Sequence, residues 1–352
     1  MFTKRFYDLC PYVPGEQPVD RDYVKLNANE NPYPPAPAVG TELENFDIAD
    51  FRRYPDPDSR ALCRSIAKML GNGIHEDMIF AGNGSDEVLS FVFYTFFDSD
   101  APLFFPEHTY SFYPVYAGYY GIPVARIPLE SDFSICIDRF LDKPSSGVIF
   151  PNPNAPTGIF LPLEKIRSLL ERYPAKKAIV IDEAYIDFGG DSAISLLADF
   201  PNLVVIRTFS KSFCFAGARL GYAVANPELI KGLLTTKNSF NHFPVDTLTQ
   251  KMGVAACENS SYYAGINAEI AETRDWFSTE LRTLGWDVLP SKANFVFARK
   301  SGFSGEQVYL FIKEKGVLVR YFDHSGIEDF VRITIGTPDQ MGFLHRIMEE
   351  IT

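Results

Sequence analysis

The chain has 352 residues, of which 46% are hydrophobic and 22% charged, a composition typical of a globular protein with a large core. Its length predicts two domains, or one large α/β domain with an appendage. The net charge of −12 disfavours a nucleic-acid surface, which needs a basic face, but a few local arginines would suffice for a small anionic ligand.

The N-terminal segment, residues 1–40, is rich in proline and polar residues, which predicts an extended arm rather than a core element. Its tyrosines are too many for pure disorder, so we expect the arm to dock on the rest of the chain. The sequence has neither a signal-peptide core nor a run of 18 apolar residues, which predicts no export and no membrane span. Five scattered cysteines without a C-x-x-C pair favour a reducing cytoplasm over a disulfide framework or a zinc site.

Short apolar runs alternate with helical patterns in the first two thirds of the chain. The predicted helices run from Ser59 to Leu70, from near Val88 onward, and over 162–172. The predicted strands are 78–81, 103–105, 147–150, 178–181 and 203–206. This alternation predicts a mostly parallel, doubly wound α/β sheet, whose ligand site lies at the C-terminal ends of the strands.

A glycine turn, Gly82-Asn83-Gly84-Ser85-Asp86-Glu87, joins the first of these strands to its helix. Free N–H groups at a helix N-terminus form a ready anion site, so Gly84, Ser85 and Asp86 are candidate ligands. The alternative is that Ser85 and Asp86 merely cap the helix. The turn does not match the dinucleotide fingerprint, because Glu87 stands where the last glycine is required.

Two further strand ends carry candidate side chains. Tyr110 comes after the strand at 103–105, and its ring would lie flat on a planar ligand unless it is part of the core. Asp182 directly follows the apolar strand at 178–181. Burying a carboxylate there is unfavourable unless a cation accompanies it.

The strand at 203–206 leads into the loop Thr208-Phe209-Ser210-Lys211-Ser212, and Arg219 follows eight residues after the lysine. Serines and an arginine around a lysine are suited to an anionic group. The alternative is that Lys211 is an ordinary solvated loop lysine.

The C-terminal third is predicted to form a smaller α+β domain. A long helical segment at 261–285 would link it to the rest, and strands are predicted at 294–298, 317–320 and 330–335. In the last strand Arg332 and Thr334 share one face, which we expect to be accessible. We therefore divide the chain into an arm with part of the small domain (1–45), a large domain (46–255) and the remaining small domain (256–352).

These parts together describe a pyridoxal phosphate site. A lysine can form a Schiff base with a carbonyl, and a carboxylate can pair with a protonated pyridine nitrogen. Lys211 and Asp182 are the residues for those two tasks.

The chain also resembles the fold-type I pyridoxal-phosphate aminotransferases, and among them the histidinol-phosphate aminotransferase family. The motifs that carry the resemblance extend over nearly the whole chain in the family's order. They are YVPG (12–15), KLNANENPYPP (25–35), RYPDP (53–57), GNGSDE (82–87), TYSFY (109–113), PTG (156–158), DEAYIDF (182–188), TFSKSF (208–213), GARLGY (217–222) and VRITIGT (331–337).

The resemblance implies roles for individual residues. Lys211 would hold the cofactor, Asp182 would keep its ring nitrogen protonated, Tyr185 would hydrogen-bond its phenolic oxygen, and Tyr110 would stack on the ring. The implied phosphate ligands are Gly84, Ser85, Asp86, Ser210, Ser212 and Arg219. Tyr54 would reach the cofactor of a neighbouring subunit, which implies a homodimer with shared active sites.

One motif departs from the family, which has asparagine immediately before Pro-Thr-Gly as a ligand of the phenolic oxygen. Here that position is Ala155, and the asparagine stands one residue earlier, at Asn154. Either Asn154 reaches the cofactor, or Tyr185 serves alone.

For activity, the resemblance implies that an amino group passes between L-histidinol phosphate and 2-oxoglutarate. Arg332 would bind the carboxylate of one substrate and the phosphate of the other through its planar fork. Arg320, Tyr12 and Asn29 are further candidate substrate ligands, although Arg320 is equally well explained as a surface strand arginine.

Alternatives remain open at this point. Threonine-phosphate decarboxylase and aromatic aminotransferase activities use the same scaffold and cofactor chemistry. A non-catalytic binding protein would lack the lysine or the aspartate, and both are present. A dinucleotide-dependent dehydrogenase is disfavoured by Glu87.

Overall fold

The computed structural model describes residues 1–351, and Thr352, the last residue of the predicted small domain, lies outside the described residues. The α-helices are α1 (Lys4–Tyr7), α2 (Pro37–Glu44), α3 (Arg60–Leu70), α4 (Gly84–Phe96), α5 (Tyr113–Tyr120), α6 (Leu163–Arg172), α7 (Pro227–Phe240), α8 (Thr247–Glu258), α9 (Ser260–Thr283), α10 (Gly305–Glu314) and α11 (Pro338–Glu349). The strands are β1 (Val24–Lys25), β2 (Ile79–Asn83), β3 (Leu103–Pro106), β4 (Val124–Ile127), β5 (Gly147–Pro151), β6 (Ile179–Asp182), β7 (Leu203–Thr208), β8 (Leu220–Ala225), β9 (Trp286–Val288), β10 (Phe295–Lys300), β11 (Val317–Leu318), β12 (Arg320–Tyr321) and β13 (Val331–Thr334).

The large sheet has seven strands in the order β2-β8-β7-β6-β5-β3-β4. The strands from β7 to β4 are parallel to one another, whereas β8 runs antiparallel to both of its neighbours. The predicted α/β class with a mostly parallel sheet is confirmed. The antiparallel β8, which begins directly after Arg219, was not predicted from the sequence.

The sheet is covered on both faces, as the unbroken apolar runs of its central strands require. In β7, Leu203 and Val205 face a core shared with α3, α6 and α8, while Val204 and Ile206 face a second core shared with α4, α5 and α7. Successive side chains therefore enter opposite layers, which is the doubly wound arrangement.

A second sheet, of order β12-β13-β10-β9, is antiparallel and packs with α9, α10 and α11 around a separate core. The predicted accessible face of this sheet is a wrong prediction, because Thr334 on that face is only 2% exposed. Residues of the N-terminal arm cover it, and the Thr334 backbone N–H donates to the Leu26 carbonyl. The predicted strand at 317–320 is divided: β11 pairs with β1 of the arm, and β12 pairs with β13.

The direction of the strands places the site at one edge of the large sheet. Strands β3, β5, β6 and β7 are parallel, and β2 has the same direction because both it and β7 run antiparallel to β8. Their C-terminal ends therefore meet at one edge, where open α/β sheets bind ligands. Within residues 1–351, no helix has both the length and the apolar character needed to cross a bilayer.

Candidate active site

A cavity of about 240 Å³ opens at this edge, between the large sheet, β13 and the N-terminal arm. The residues predicted from the sequence that line it are Tyr12, Asn29, Ser85, Asp86, Tyr110, Asp182, Tyr185, Ser210, Lys211, Arg219, Arg320 and Arg332.

Lys211 lies in the loop after β7, and its Nζ donates a hydrogen bond to the Ala28 carbonyl of the arm at 3.0 Å. Burial, with a smaller contribution from the nearby Arg332 guanidinium, lowers the pKa of Lys211 to about 8. A lysine with a lowered pKa has a larger neutral fraction near pH 7, and the neutral amine is the nucleophile and the base.

Asp182 ends β6 and is 4% exposed. The Tyr113 hydroxyl donates to Oδ2 at 2.9 Å, and the Ala184 N–H donates to Oδ1 at 3.2 Å. Burial raises the pKa of Asp182 to about 6, and the hydrogen bond from Tyr113 opposes that rise. No Lys, Arg or His among residues 1–351 forms an ion pair with this carboxylate. A buried carboxylate in this state fits a cationic group supplied by a ligand.

The anion end of the cavity lies where β2 turns into α4. Gly84 has φ +76, and a Cβ there would come within 2.6 Å of the Arg219 guanidinium. Glycine thus permits both the turn and the approach of the arginine. The helix begins at Gly84, a turn earlier than predicted, so Ser85 and Asp86 lie in its first turn with their N–H groups available to an anion.

Arg219 pairs with the Asp86 carboxylate at 2.9 Å, and both side chains are partly exposed. The Tyr110 hydroxyl donates to the other carboxylate oxygen of Asp86 at 2.8 Å. The Asp86 side chain is therefore occupied, and only its backbone N–H remains for an anionic ligand.

The opposite wall carries Arg332, whose ring-flanked guanidinium lies 5.3 Å from the Phe295 ring centroid and 5.4 Å from that of Phe322. Its Nη2 donates to the Asn27 carbonyl at 3.2 Å, but its buried Nε has no partner among residues 1–351. Burial lowers the pKa of Arg332. An unpaired guanidinium N–H facing a cavity fits a carboxylate or phosphate.

Arg320 and Tyr12 form the mouth of the cavity. The Arg320 Nη2 donates to the Val13 carbonyl at 3.2 Å, and the Tyr12 ring packs on Phe112 with a centroid distance of 5.0 Å. Both side chains are partly exposed, so they remain accessible from solvent.

Two predicted ligands do not reach the cavity, which corrects those expectations. The Ser212 hydroxyl, in a residue 1% exposed, donates to Asp187 Oδ2 at 2.6 Å. The Asn154 amide donates to the His108 carbonyl at 3.0 Å and to the Thr157 hydroxyl at 3.2 Å, and Ala155 lines the cavity instead. Asp187 and His108, which hold these two side chains, belong to other segments of the chain.

Tyr54 also lies outside the cavity of its own chain. It is 83% exposed, and its ring stacks on Phe243 with a centroid distance of 4.6 Å and an interplanar angle of 7°. The stack holds the ring in place while leaving its hydroxyl edge on the surface.

Sequence reasoning missed Tyr113, the hydroxyl donor to Asp182. The residue lies in the TYSFY segment, but α5 is aromatic on several faces, so no periodicity distinguishes this tyrosine from its neighbours. Only its burial distinguishes Tyr113, because the hydroxyl of a buried tyrosine usually has a hydrogen-bond partner, and that burial is known only from the structure.

A family model described as aminotransferase class I and II matches residues 21–346. A histidinol-phosphate aminotransferase of Syntrophus aciditrophicus (strain SB) is 53% identical over 100% of this chain and 97% of its own length. The crystal structure of the histidinol-phosphate aminotransferase from Clostridium acetobutylicum superposes with a TM-score of 0.85 at 25% identity, covering 93% of this chain and 98% of that one. The enzyme of that name from Sinorhizobium meliloti, crystallised with pyridoxal-5'-phosphate, has the same fold, with a TM-score of 0.84 at 24% identity and coverage of 94% and 91%.

Proposed function

Because the chain belongs to the class I and II aminotransferase family, we propose that it transfers an amino group between L-histidinol phosphate and 2-oxoglutarate. The products are imidazole-acetol phosphate and L-glutamate, and the cofactor is pyridoxal 5'-phosphate. This places the enzyme in histidine biosynthesis. The observation that carries the proposal is the pairing, in one cavity, of a lysine of lowered pKa with a buried carboxylate that has no cationic partner.

Pyridoxal phosphate, when bound, supplies a carbonyl for a lysine amine and a ring that accepts electrons from the substrate carbon. The residues present fit the group. Asp182 offers the buried negative charge that a protonated ring nitrogen needs, and Lys211 is the amine in the cavity. The phosphate would be held by the N–H groups of Ser85 and Asp86 with Ser210 and Arg219, and the Tyr110 ring lines the same cavity.

Lys211 also moves the proton. Its Nζ would take the proton from the substrate α-carbon and hold it for return, which is general acid–base catalysis. A pKa of about 8 makes both the amine and the ammonium form accessible near neutral pH. The Ala28 carbonyl, which accepts from Nζ at 3.0 Å, holds the side chain on the arm side of the cavity.

Both substrates have an anionic group at the same position, but the group differs: glutamate has a carboxylate where histidinol phosphate has a phosphate ester. A guanidinium fork accepts either anion, and the unpartnered Nε of Arg332 is available for it. Arg320 and Tyr12 at the mouth are the additional phosphate contacts. The full-length relative at 53% identity favours this substrate over phosphothreonine and aromatic amino acids.

The proposal extends to assembly and location. A homodimer in the cytoplasm would place Tyr54 of each subunit at the cofactor of the other, and the exposed, stacked Tyr54 ring supports that role. Residues 46–255 would form the large domain, and 256–352 with part of 1–45 the small domain. The pairing of β1 with β11 supports assigning part of the arm to the small domain.

The test uses purified protein loaded with pyridoxal phosphate. Adding L-histidinol phosphate is expected to change the absorbance of the bound cofactor, and 2-oxoglutarate should then restore it with release of glutamate. Phosphothreonine and tyrosine serve as competing donors. A response to either of them with none to histidinol phosphate would contradict the proposed substrate.

A further inference from the structure

The side chain of Asn29 connects the two sheets at the cavity wall and is only 1% exposed. Its Nδ2 donates to the Tyr185 hydroxyl at 2.9 Å, and its Oδ1 accepts from the Thr334 hydroxyl at 3.1 Å. Tyr185 follows β6 of the large sheet, whereas Thr334 belongs to β13 of the small sheet. The Asn29 amide thus has a protein partner at each end, and its predicted role as a direct substrate ligand stays a prediction.

The hydrogen bonds define the orientation of this amide. The backbone N–H of Asn29 donates to the Thr334 hydroxyl oxygen at 2.9 Å, and the Thr334 proton goes to the Asn29 Oδ1. Reversing the amide would leave that proton without an acceptor among residues 1–351. Nδ2 therefore faces Tyr185 as a donor.

The backbone at this position is held as well. Asn29 has φ +53, in the left-handed region that asparagine adopts more readily than most residues. Its carbonyl accepts from the Asn294 Nδ2 at 3.0 Å. The amide is consequently fixed from both ends by buried groups.

A tyrosine hydroxyl has one proton to donate. Because Tyr185 accepts a hydrogen bond from Asn29, its own proton remains available to the cavity that Tyr185 lines. The neighbouring wall position is Ala155, whose methyl group forms no hydrogen bond. We propose that Asn29 is a positioning residue that fixes Tyr185 as a hydrogen-bond donor to a ring oxygen of the bound cofactor, an inference that rests on the proposed function for the identity of that cofactor.

The test is a pH titration of the absorbance of the protein loaded with pyridoxal phosphate, which requires no amino donor. A hydrogen bond donated to a ring oxygen favours the deprotonated form of the chromophore, so losing the bond raises the midpoint. Tyr185→Phe is expected to raise it by about one pH unit, a tenfold change in proton affinity. Asn29→Gly, which preserves the positive φ, is expected to raise the midpoint by about half a unit, or roughly threefold, because Tyr185 is no longer oriented.

The double variant separates positioning from general structural damage. If Asn29 acts through Tyr185, Asn29→Gly adds no further shift in the Tyr185→Phe background. The matched control is Asn72→Gly, the same change at an asparagine with φ +51 outside the cavity, and it should leave the midpoint unchanged.

Thr334→Val provides a second route, because it removes the partner that orients the amide and leaves Asn29 in place. It is expected to raise the midpoint in the same direction, and it keeps the proposal testable if Asn29→Gly does not fold. Equal shifts from Asn29→Gly with and without the Tyr185 hydroxyl would overturn the proposal, as would unchanged midpoints in both Asn29→Gly and Thr334→Val. The proposed function fails in a different way. In that case the wild-type protein gives the expected pH titration but transfers no amino group from histidinol phosphate.

Discussion

Asp182 and Arg219 carry opposite charges and line the same cavity, but they differ in burial and in their partners. Asp182 is 4% exposed and has only neutral hydrogen-bond donors. Arg219 is partly exposed and already paired with Asp86. The buried charge of Asp182 therefore needs a cationic group from the ligand to balance it. Arg219 already has Asp86 as its counter-ion, and its guanidinium can contact both Asp86 and a bound anion.

The largest effect is expected at Lys211, which lines the same cavity. In the proposed mechanism Lys211 both holds the cofactor and acts as the base, so in Lys211→Ala amino transfer should fall by about 10⁴-fold. Turnover is measured as glutamate formation, with exposed Lys176→Ala as the control. A Lys211→Ala protein that retains turnover would refute its assignment as the base.

The next largest effect is expected at the buried Asp182. Asp182→Asn keeps the shape but removes the charge that a ring nitrogen would meet, and turnover should fall by about 10²–10³-fold. The cofactor-free variant should be no less stable than the wild type, because it no longer buries an unpaired carboxylate. Thermal unfolding without cofactor measures this, and a marked loss of stability would show that Asp182 already has a sufficient partner in the protein.

The pH dependence of stability sharpens the same point. Burial raises the folded-state pKa of Asp182 to about 6 from a usual value of 3.8, so between these pH values the folded state binds more protons than the unfolded state. The free energy of unfolding of the cofactor-free protein should therefore fall as pH rises from about 4 to 6. Asp182→Asn should remove this contribution, as denaturant titrations at several pH values would reveal.

A smaller effect is expected at the partly exposed Arg219. Arg219→Lys keeps the charge but loses the planar fork, and the affinity for pyridoxal phosphate should fall by about tenfold. Equilibrium dialysis of the cofactor against variant and wild type measures it. A loss as large as that of Asp182→Asn in turnover, with affinity unchanged, would place Arg219 in the chemistry rather than in cofactor binding.

The smallest effect is expected at Tyr113. Tyr113→Phe removes the hydrogen bond that opposes the raised pKa of Asp182, so that pKa should rise further. The loss of this one hydrogen bond should weaken cofactor binding by about 1 kcal/mol, or roughly fivefold. Tyr173→Phe, at a buried tyrosine bonded to Ser145, is the matched control and should leave cofactor affinity unchanged.

Some residues of the site could be predicted from the sequence, and others could not. Asp182 was identified because it directly follows an apolar strand, and Lys211 because it lies in the loop after another. Parallel strands bring such residues to one edge of a sheet. Ser212 and Asn154 were misplaced because the side of a loop that a side chain faces depends on distant partners, here Asp187 and the His108 carbonyl. No pattern within the loop itself contains that information.

The small sheet also shows that contacts between distant segments cannot be read from a local pattern. The alternation in β13 correctly placed Arg332 and Thr334 on one face, but the arm that covers Thr334 precedes it by some 300 residues. Periodicity describes which residues share a face, and only tertiary packing decides what lies against it. The role of Asn29 follows from that packing and could not be inferred from its motif.

The most direct test of the central claim follows the nitrogen atom. L-histidinol phosphate labelled with ¹⁵N at its amino group is mixed with 2-oxoglutarate and the protein loaded with pyridoxal phosphate, and the glutamate is analysed by mass spectrometry. We predict ¹⁵N-glutamate from the wild type and about 10⁴-fold slower formation of it by Lys211→Ala. Unlabelled glutamate alone, or no glutamate while another amino donor is consumed, would contradict it.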